Sequence, residues 1–315
     1  MFNVAFSRRA CAATALAALA LASVSIPVGA KTYSEVVAFG DSLSDRGVFF
    51  ALTGNRYPQP PYWQGRFSNG PAAIEVVAAG LGLGNNLIDY ASGGAMSDFD
   101  NGAQPAMHNG VRTQVNQFSA AFGGVADPNA LYFVWAGSND FTYKGFTLAV
   151  AADMVSNQMA SLTQLYGMGA RDFLLPLLPD FGLTPGGLQF AAQLSPFSVY
   201  VDGQLNAAYL QLEATLPGAK FTIFDTLGNH RALTAQAIVN GFNVTDACFS
   251  GFVGVPGSLC VDPSKYLYFD NEHPTAYTHQ VLGTEMLAAV PEPVSMLLMA
   301  AGVLTLFGLG RSRQH

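Results

Sequence analysis

The sequence predicts an α/β protein, a three-layer α/β/α sandwich built on a five-stranded parallel sheet. Short runs rich in β-branched and aromatic residues alternate with longer stretches of helical pattern. Five such runs separated by helical crossovers require a parallel sheet covered on both faces, because each crossover must pass over one face or the other. At 315 residues the chain is also long enough to bury one large core.

The expected strands are Glu35 to Phe39, Asn86 to Tyr90, Ala130 to Trp135, Asp172 to Leu177 and Lys220 to Phe224. Between and after them, Ala72 to Leu81, Arg112 to Phe122, Phe146 to Tyr166, Pro196 to Leu216 and Thr226 to Val239 read as helices, and a last helix is expected to begin at Pro274. The segment Leu43 to Gly70 holds Phe49, Phe50, Tyr57, Tyr62, Trp63 and Phe67 together with Pro58, Pro60 and Pro61, so an ordered loop is expected there. Its aromatics read equally as the lining of a cleft or as packing that fixes the loop to the domain.

Both ends of the chain carry targeting patterns. Arg8 and Arg9 precede an apolar run from Ala12 to Ile26, and Val28-Gly29-Ala30 offers small residues at a cleavage point, so residues 1–30 are expected to be a secretory signal peptide. The competing reading, an uncleaved anchor, is disfavoured by the short run and by Pro27 and Gly29. At the other end Val290-Pro291-Glu292-Pro293 leads into an uncharged stretch, Val294 to Gly310, and then Arg311 and Arg313. That stretch lies at the lower length limit for a bilayer-spanning helix, and trailing arginines stay cytoplasmic. Residues 290–315 resemble the PEP-CTERM sorting signal of Gram-negative bacteria. The resemblance implies cutting by an exosortase-type transpeptidase near Pro291 to Pro293, after export by way of a signal peptidase; a permanent inner-membrane anchor is the alternative. The domain between, residues 31–289, is expected in the periplasm, at the cell surface or secreted.

The chain carries 14 Lys and Arg against 21 Asp and Glu, and four of the arginines fall in the terminal segments, so the body is strongly acidic and a poor partner for nucleic acid. Cys248 and Cys260 remain beyond the signal peptide, and in an oxidising compartment they read as a disulfide closing Phe249 to Leu259, or else as two free thiols. No spacing of His and Cys supports zinc. The sequence has no Gly-x-Ser-x-Gly elbow, no His-Glu-x-x-His helix and no Gly-x-Gly-x-x-Gly turn, and no cofactor is implied.

Four segments carry chemistry. Phe39-Gly40-Asp41-Ser42-Leu43-Ser44-Asp45 presents a serine at the carboxyl end of the first strand, where functional groups of parallel sheets gather. Asp89-Tyr90-Ala91-Ser92-Gly93-Gly94-Ala95 follows the second, and paired glycines let backbone amides approach a ligand. Trp135-Ala136-Gly137-Ser138-Asn139-Asp140 ends the third. There the Asn139 amide either faces a developing negative charge or caps the next helix. Phe269-Asp270-Asn271-Glu272-His273-Pro274-Thr275 spaces a carboxylate and an imidazole so that one can orient the other. His279 reads as a structural residue of the last helix, and His108 and His230 as surface or capping residues.

In this order the four segments resemble the conserved blocks of the GDSL (SGNH) hydrolase family, and Gly65 to Pro71 and Leu178 to Gly182 are similar to its intervening segments. Asp89 departs from the family, whose members often carry Asn there. The resemblance implies the flavodoxin-like fold of these hydrolases and a serine esterase or lipase. Its nucleophile would be Ser42, with His273 as base and Asp270 as orienting acid. An oxyanion hole would form from the N–H of Ser42, the N–H of Gly94 (with Gly93 in reserve) and the amide of Asn139. An acyltransferase using the same acyl-enzyme and a non-catalytic surface or matrix protein are the alternatives. The substrate would be an ester of a lipid or of an acylated saccharide.

Overall fold

The computed structural model describes residues 32–291. The expected signal peptide and the apolar stretch 294–310 lie outside the described residues. Among the described residues, no helix is long and apolar enough to cross a membrane.

Five strands form one parallel sheet: β1 (Val36–Gly40), β2 (Leu87–Asp89), β3 (Leu131–Trp135), β4 (Asp172–Pro176) and β5 (Lys220–Phe224), in the order β2-β1-β3-β4-β5. Val36 pairs with Leu87 on one side and Leu131 on the other, and Leu131 in turn pairs with Asp172. The five expected strands are all present, with ends shifted by at most a residue. Every residue of β1, β3 and β4 is buried, which is why these strands read as continuous apolar runs rather than as alternating ones.

Side chains alternate between the faces as a pleat requires. Val37, Phe39, Tyr132, Val134, Phe173 and Leu175 point to one side. They meet α3 (Val111–Ala121), α5 (Leu148–Met168) and α6 (Ala191–Thr215) through residues such as Phe118, Met154 and Leu205. Val36, Ala38, Leu131, Phe133 and Trp135 point to the other side. There they meet α2 (Ala73–Gly80) and α8 (Ala276–Ala289) through Ile74, Val77, Leu282 and Met286. The three expected layers are therefore present.

Several boundaries differ from expectation. Helix α5 starts two residues late because the Thr147 hydroxyl accepts from the Val150 N–H and caps it. Helix α6 starts at Ala191, so Pro196 lies inside it rather than at its first position. Helix α8 starts at Ala276 with Thr275 as its cap, two residues beyond Pro274. Two helices and two strands were given no range in the sequence: the single turn α1 (Val48–Leu52), α4 (Ser138–Lys144), and a small parallel pair, β6 (Asn243–Ala247) with β7 (Tyr266–Tyr268). All are too short or too polar to leave a periodic signal. Helix α7 (Thr226–Val239) matches its expected span.

Cys248 and Cys260 are joined in a disulfide with their Cα atoms 4.7 Å apart. His279 is buried on α8 and its Nδ1 accepts from the Ala73 N–H at the start of α2. Burial, and after it the nearby His273, pushes its pKa down to about 3, so it stays neutral. The two helices touch closely at Gly283, where an added Cβ would lie 2.6 Å from Val76 Cβ and 2.7 Å from the Ala73 carbonyl oxygen. Gly283→Ala is expected to destabilise the fold by about 1–3 kcal/mol through overpacking, read as a fall of several degrees in Tm.

Candidate active site

The strand order reverses direction between β1 and β3, and clefts of such sheets open at that point, outside the carboxyl ends of the strands. Ser42 follows β1 there and Asn139 follows β3. The end of β1 is fixed by Gln114 of α3, whose side chain accepts from the Gly40 N–H (2.9 Å) and donates to the Gly40 carbonyl (2.8 Å). Beyond it the chain turns tightly, with the Ser44 and Asp45 N–H groups donating to the Asp41 carbonyl and Leu43 N–H to the Asp41 carboxyl. Burial pushes the pKa of Asp41 up to about 7.

Asp45 joins this turn to the glycine segment. Its fully buried carboxylate accepts from four backbone N–H groups: Gly47 (2.7 Å), Val48 (2.6 Å), Phe49 (3.1 Å) and Gly93 (2.8 Å). Asn101 donates to the Gly93 carbonyl and Asn109 to the Ser92 hydroxyl. Gly93 has no room for a side chain, since an added Cβ would sit 2.0 Å from the Phe67 ring. Gly94 has the left-handed φ of +77° and would clash with Ala103 and Asn101. Because the Gly93 N–H is engaged by Asp45, it is Gly94 whose N–H makes no hydrogen bond among the described residues.

Asn139 is the second residue of α4, whose cap is Gly137, so it is not the capping residue. Its side-chain amide donates to the Ala95 carbonyl at 3.1 Å, and its neighbour Asp140 accepts from the Ser97 N–H and hydroxyl. These bonds hold the segments after β2 and β3 together.

Asp270 and His273 arrive from the turn before α8. The His273 Nδ1 lies 2.7 Å and 2.9 Å from the two Asp270 carboxylate oxygens, and its Nε2 lies 2.9 Å from the Ser42 hydroxyl. Asp270 also accepts from the Tyr62 hydroxyl (2.6 Å) and from the Glu272 and His273 N–H groups. With a carboxylate at Nδ1, the neutral ring carries its proton there and leaves Nε2 to accept. For Asp270 burial acts to raise the pKa, but the charge of His273 and these hydrogen bonds outweigh it and hold the carboxyl below its ordinary range. For His273 burial acts to lower the pKa, and Asp270, followed by Glu272 and Asp41, outweighs it and raises it to about 9.

Two cavities meet at Ser42 and His273. One, about 360 Å³, is walled largely by apolar groups that include Trp135, Phe146, Phe181, Phe190 and Leu194. The other, about 400 Å³, includes Gly94, Tyr57, Phe67, Tyr143 and Phe252. Asn139 and Glu272 border both.

Sequence reasoning missed Asp45, Gln114 and Tyr62. Asp45 stands inside the first block, and an Asp two residues before a Gly signals a local backbone bond; the other two gain their partners only through folding. The aromatic loop realises both of its readings, since Tyr62 and Phe67 are buried while Tyr57 faces the cavity. His230 is not a surface residue. It is buried at the wall of the apolar cavity, bonded to the Asp180 N–H and the Tyr268 hydroxyl, and burial pushes its pKa down to about 4.

The sequence matches the model of the GDSL-like Lipase/Acylhydrolase family over residues 36–286. The chain belongs to this family. It is 28% identical over 319 residues to a GDSL esterase/lipase of Arabidopsis thaliana, covering 82% of this chain and 90% of that protein. It is 29% identical over 343 residues to Esterase EstA of Pseudomonas aeruginosa, covering 91% of this chain and 51% of that protein, so it spans about half of EstA's length. A phosphatidylcholine-sterol acyltransferase of Aeromonas hydrophila is 30% identical over 158 residues, 49% of this chain and 47% of that protein. Among solved structures, a lipolytic G-D-S-L family member from Veillonella parvula aligns with a TM-score of 0.45 at 16% identity, covering 81% of this chain and 96% of that one. This family member is a hydrolase of ester bonds.

Asp45→Ala would orphan four backbone donors, and a loss on the order of 3 kcal/mol or more is expected from denaturant unfolding. Asp45→Asn, which keeps one acceptor oxygen, should lose less.

Proposed function

We propose that this hydrolase is an exported serine esterase or lipase that works through an acyl-enzyme on Ser42. The observation that carries the reading is the 2.9 Å contact between the Ser42 hydroxyl and His273 Nε2, with Asp270 behind the ring. As Ser42 Oγ attacks the ester carbonyl carbon, its proton passes to Nε2, and Asp270 stabilises the imidazolium. The tetrahedral adduct collapses by breaking the bond to the alcohol, whose oxygen takes the proton from Nε2. Water then repeats the sequence on the acyl-enzyme and frees Ser42.

The negative oxygen of each adduct would be met by the Ser42 and Gly94 N–H groups and the Asn139 amide. Support comes from their common position at the second cavity and from the free N–H of Gly94, which favours it over Gly93. The apolar cavity beside Ser42 suits the acyl portion of a lipid better than an acetyl group. Export rests on the patterns in residues 1–30 and 290–315, with processing by a signal peptidase and an exosortase-type enzyme. An acyltransferase that replaces water by an alcohol keeps every step but the last, and the Aeromonas relative favours it as the second reading. Product analysis with added glycerol or sterol separates the two.

Ser42→Ala should abolish covalent labelling by a fluorophosphonate while the thermal unfolding transition persists; labelling retained elsewhere overturns the assignment. Only neutral His273 can accept the serine proton, so a raised pKa delays activity on the pH scale. The kcat/KM should therefore rise along a limb above the ordinary histidine value of about 6.5. Asp270→Asn removes the strongest raising influence, so the limb should move to lower pH while kcat falls by on the order of 10⁴-fold.

A further inference from the structure

Glu272 lies between Asp270 and His273 in the sequence, and its carboxyl helps Asp270 to raise the His273 pKa without hydrogen-bonding to the ring. Its Oε1 lies 3.8 Å from His273 Nε2, its side chain is 45% exposed, and it borders both cavities. Among the described residues no lysine or arginine forms an ion pair with it, and none lines either cavity. Of the cations next in sequence to cavity-lining residues, Lys144 pairs with Asp98, Arg231 with Asp180 and Arg66 with Glu75, while Arg56 lies over the Tyr57 ring. Among the described residues its one cationic partner is thus the His273 ring when protonated, and the carboxylate borders the place where the substrate must lie.

The chemistry fixes which part of the substrate it faces. Whatever alcohol leaves must receive its proton from Nε2, so the leaving oxygen passes within hydrogen-bonding distance of that atom. A charge borne two carbons beyond the oxygen comes within a few ångströms of Glu272 when the alcohol turns toward that side of the His273 ring. The second cavity adds the rings of Phe67, Tyr143 and Phe252, and that of Tyr57, over which Arg56 already lies; Phe252 is stacked on the His273 ring at 5.9 Å between centroids. Aromatic faces and a carboxylate attract an alkylammonium group, and both repel a sulfonate or phosphate. The acidic body adds a long-range field of the same sign.

We propose that Glu272 is a specificity-determining residue that selects esters of cationic alcohols, quaternary ammonium alcohols above all, over neutral ones and against anionic ones. The inference rests on the esterase reading of the same site and adds the charge class of its leaving group. The side chain is partly solvated, so each step of charge is worth about tenfold in kcat/KM rather than orders of magnitude more.

Three butyrate esters of matched size test it: butyrylcholine, the uncharged carbon isostere 3,3-dimethylbutyl butyrate, and the anionic 2-sulfoethyl butyrate. The expected order of kcat/KM is cationic over neutral over anionic, about tenfold apart, with the spread shrinking as ionic strength rises. Glu272→Gln should collapse the ratios and Glu272→Lys should invert them. Ratios within one variant cancel any general loss of turnover or of folded protein. Equal rates for the three esters, or an order that survives Glu272→Gln, would overturn the proposal. Hydrolysis of 4-nitrophenyl butyrate is followed in parallel: if it and all three esters stay intact, the esterase reading itself falls and takes this inference with it.

Discussion

A parallel sheet delivers the carboxyl ends of all its strands to a single edge, and the candidate site of this hydrolase is a consequence of that constraint. The turns after β1, β2 and β3 leave the sheet side by side, bringing Ser42, Gly94 and Asn139 to one place although they are far apart in the chain. Only the pair Asp270 and His273 comes from elsewhere, carried by the turn that precedes α8. Its position depends on how closely α8 packs against α2, which the absence of a side chain at Gly283 permits.

Bringing turns together does not by itself hold them, because each exposes backbone groups that must be paired once water is excluded. Buried polar side chains do this work. Asp45 binds the serine turn to the glycine segment through four N–H groups, Gln114 brackets the peptide at the end of β1, and Asn101, Asn109 and Asp140 secure what lies between. The cost is a set of carboxyls kept from solvent. Asp41 and Asp45 are pushed to about 7 and about 6 by burial, the latter despite its four donors.

This concentration of negative charge shapes the chemistry. The imidazolium of His273 is favoured by Asp270, Glu272 and Asp41 together, which would stabilise charge on the ring in the proposed mechanism and holds its proton to higher pH at rest. Tyr62 moderates the balance by donating to Asp270 from the opposite side. The same acidic surroundings, with no lysine or arginine lining either cavity among the described residues, set the electrostatic terms on which any substrate enters.

The five strands, the crossover helices and the residues of the four blocks were legible in the sequence because each leaves a local signal. Buried parallel strands are continuous apolar runs, and the turns of the candidate site carry small and polar residues at fixed spacing. The shortest elements, α1, α4 and the pair β6 and β7, left none. Nor could the sequence show that Tyr62 reaches Asp270 across 208 positions, that His230 is buried at a cavity wall, or that Gly93 rather than Gly94 spends its N–H on Asp45. Those are pairings between segments distant in the chain. A polar side chain carries no mark of its partner until packing excludes water and leaves it only one.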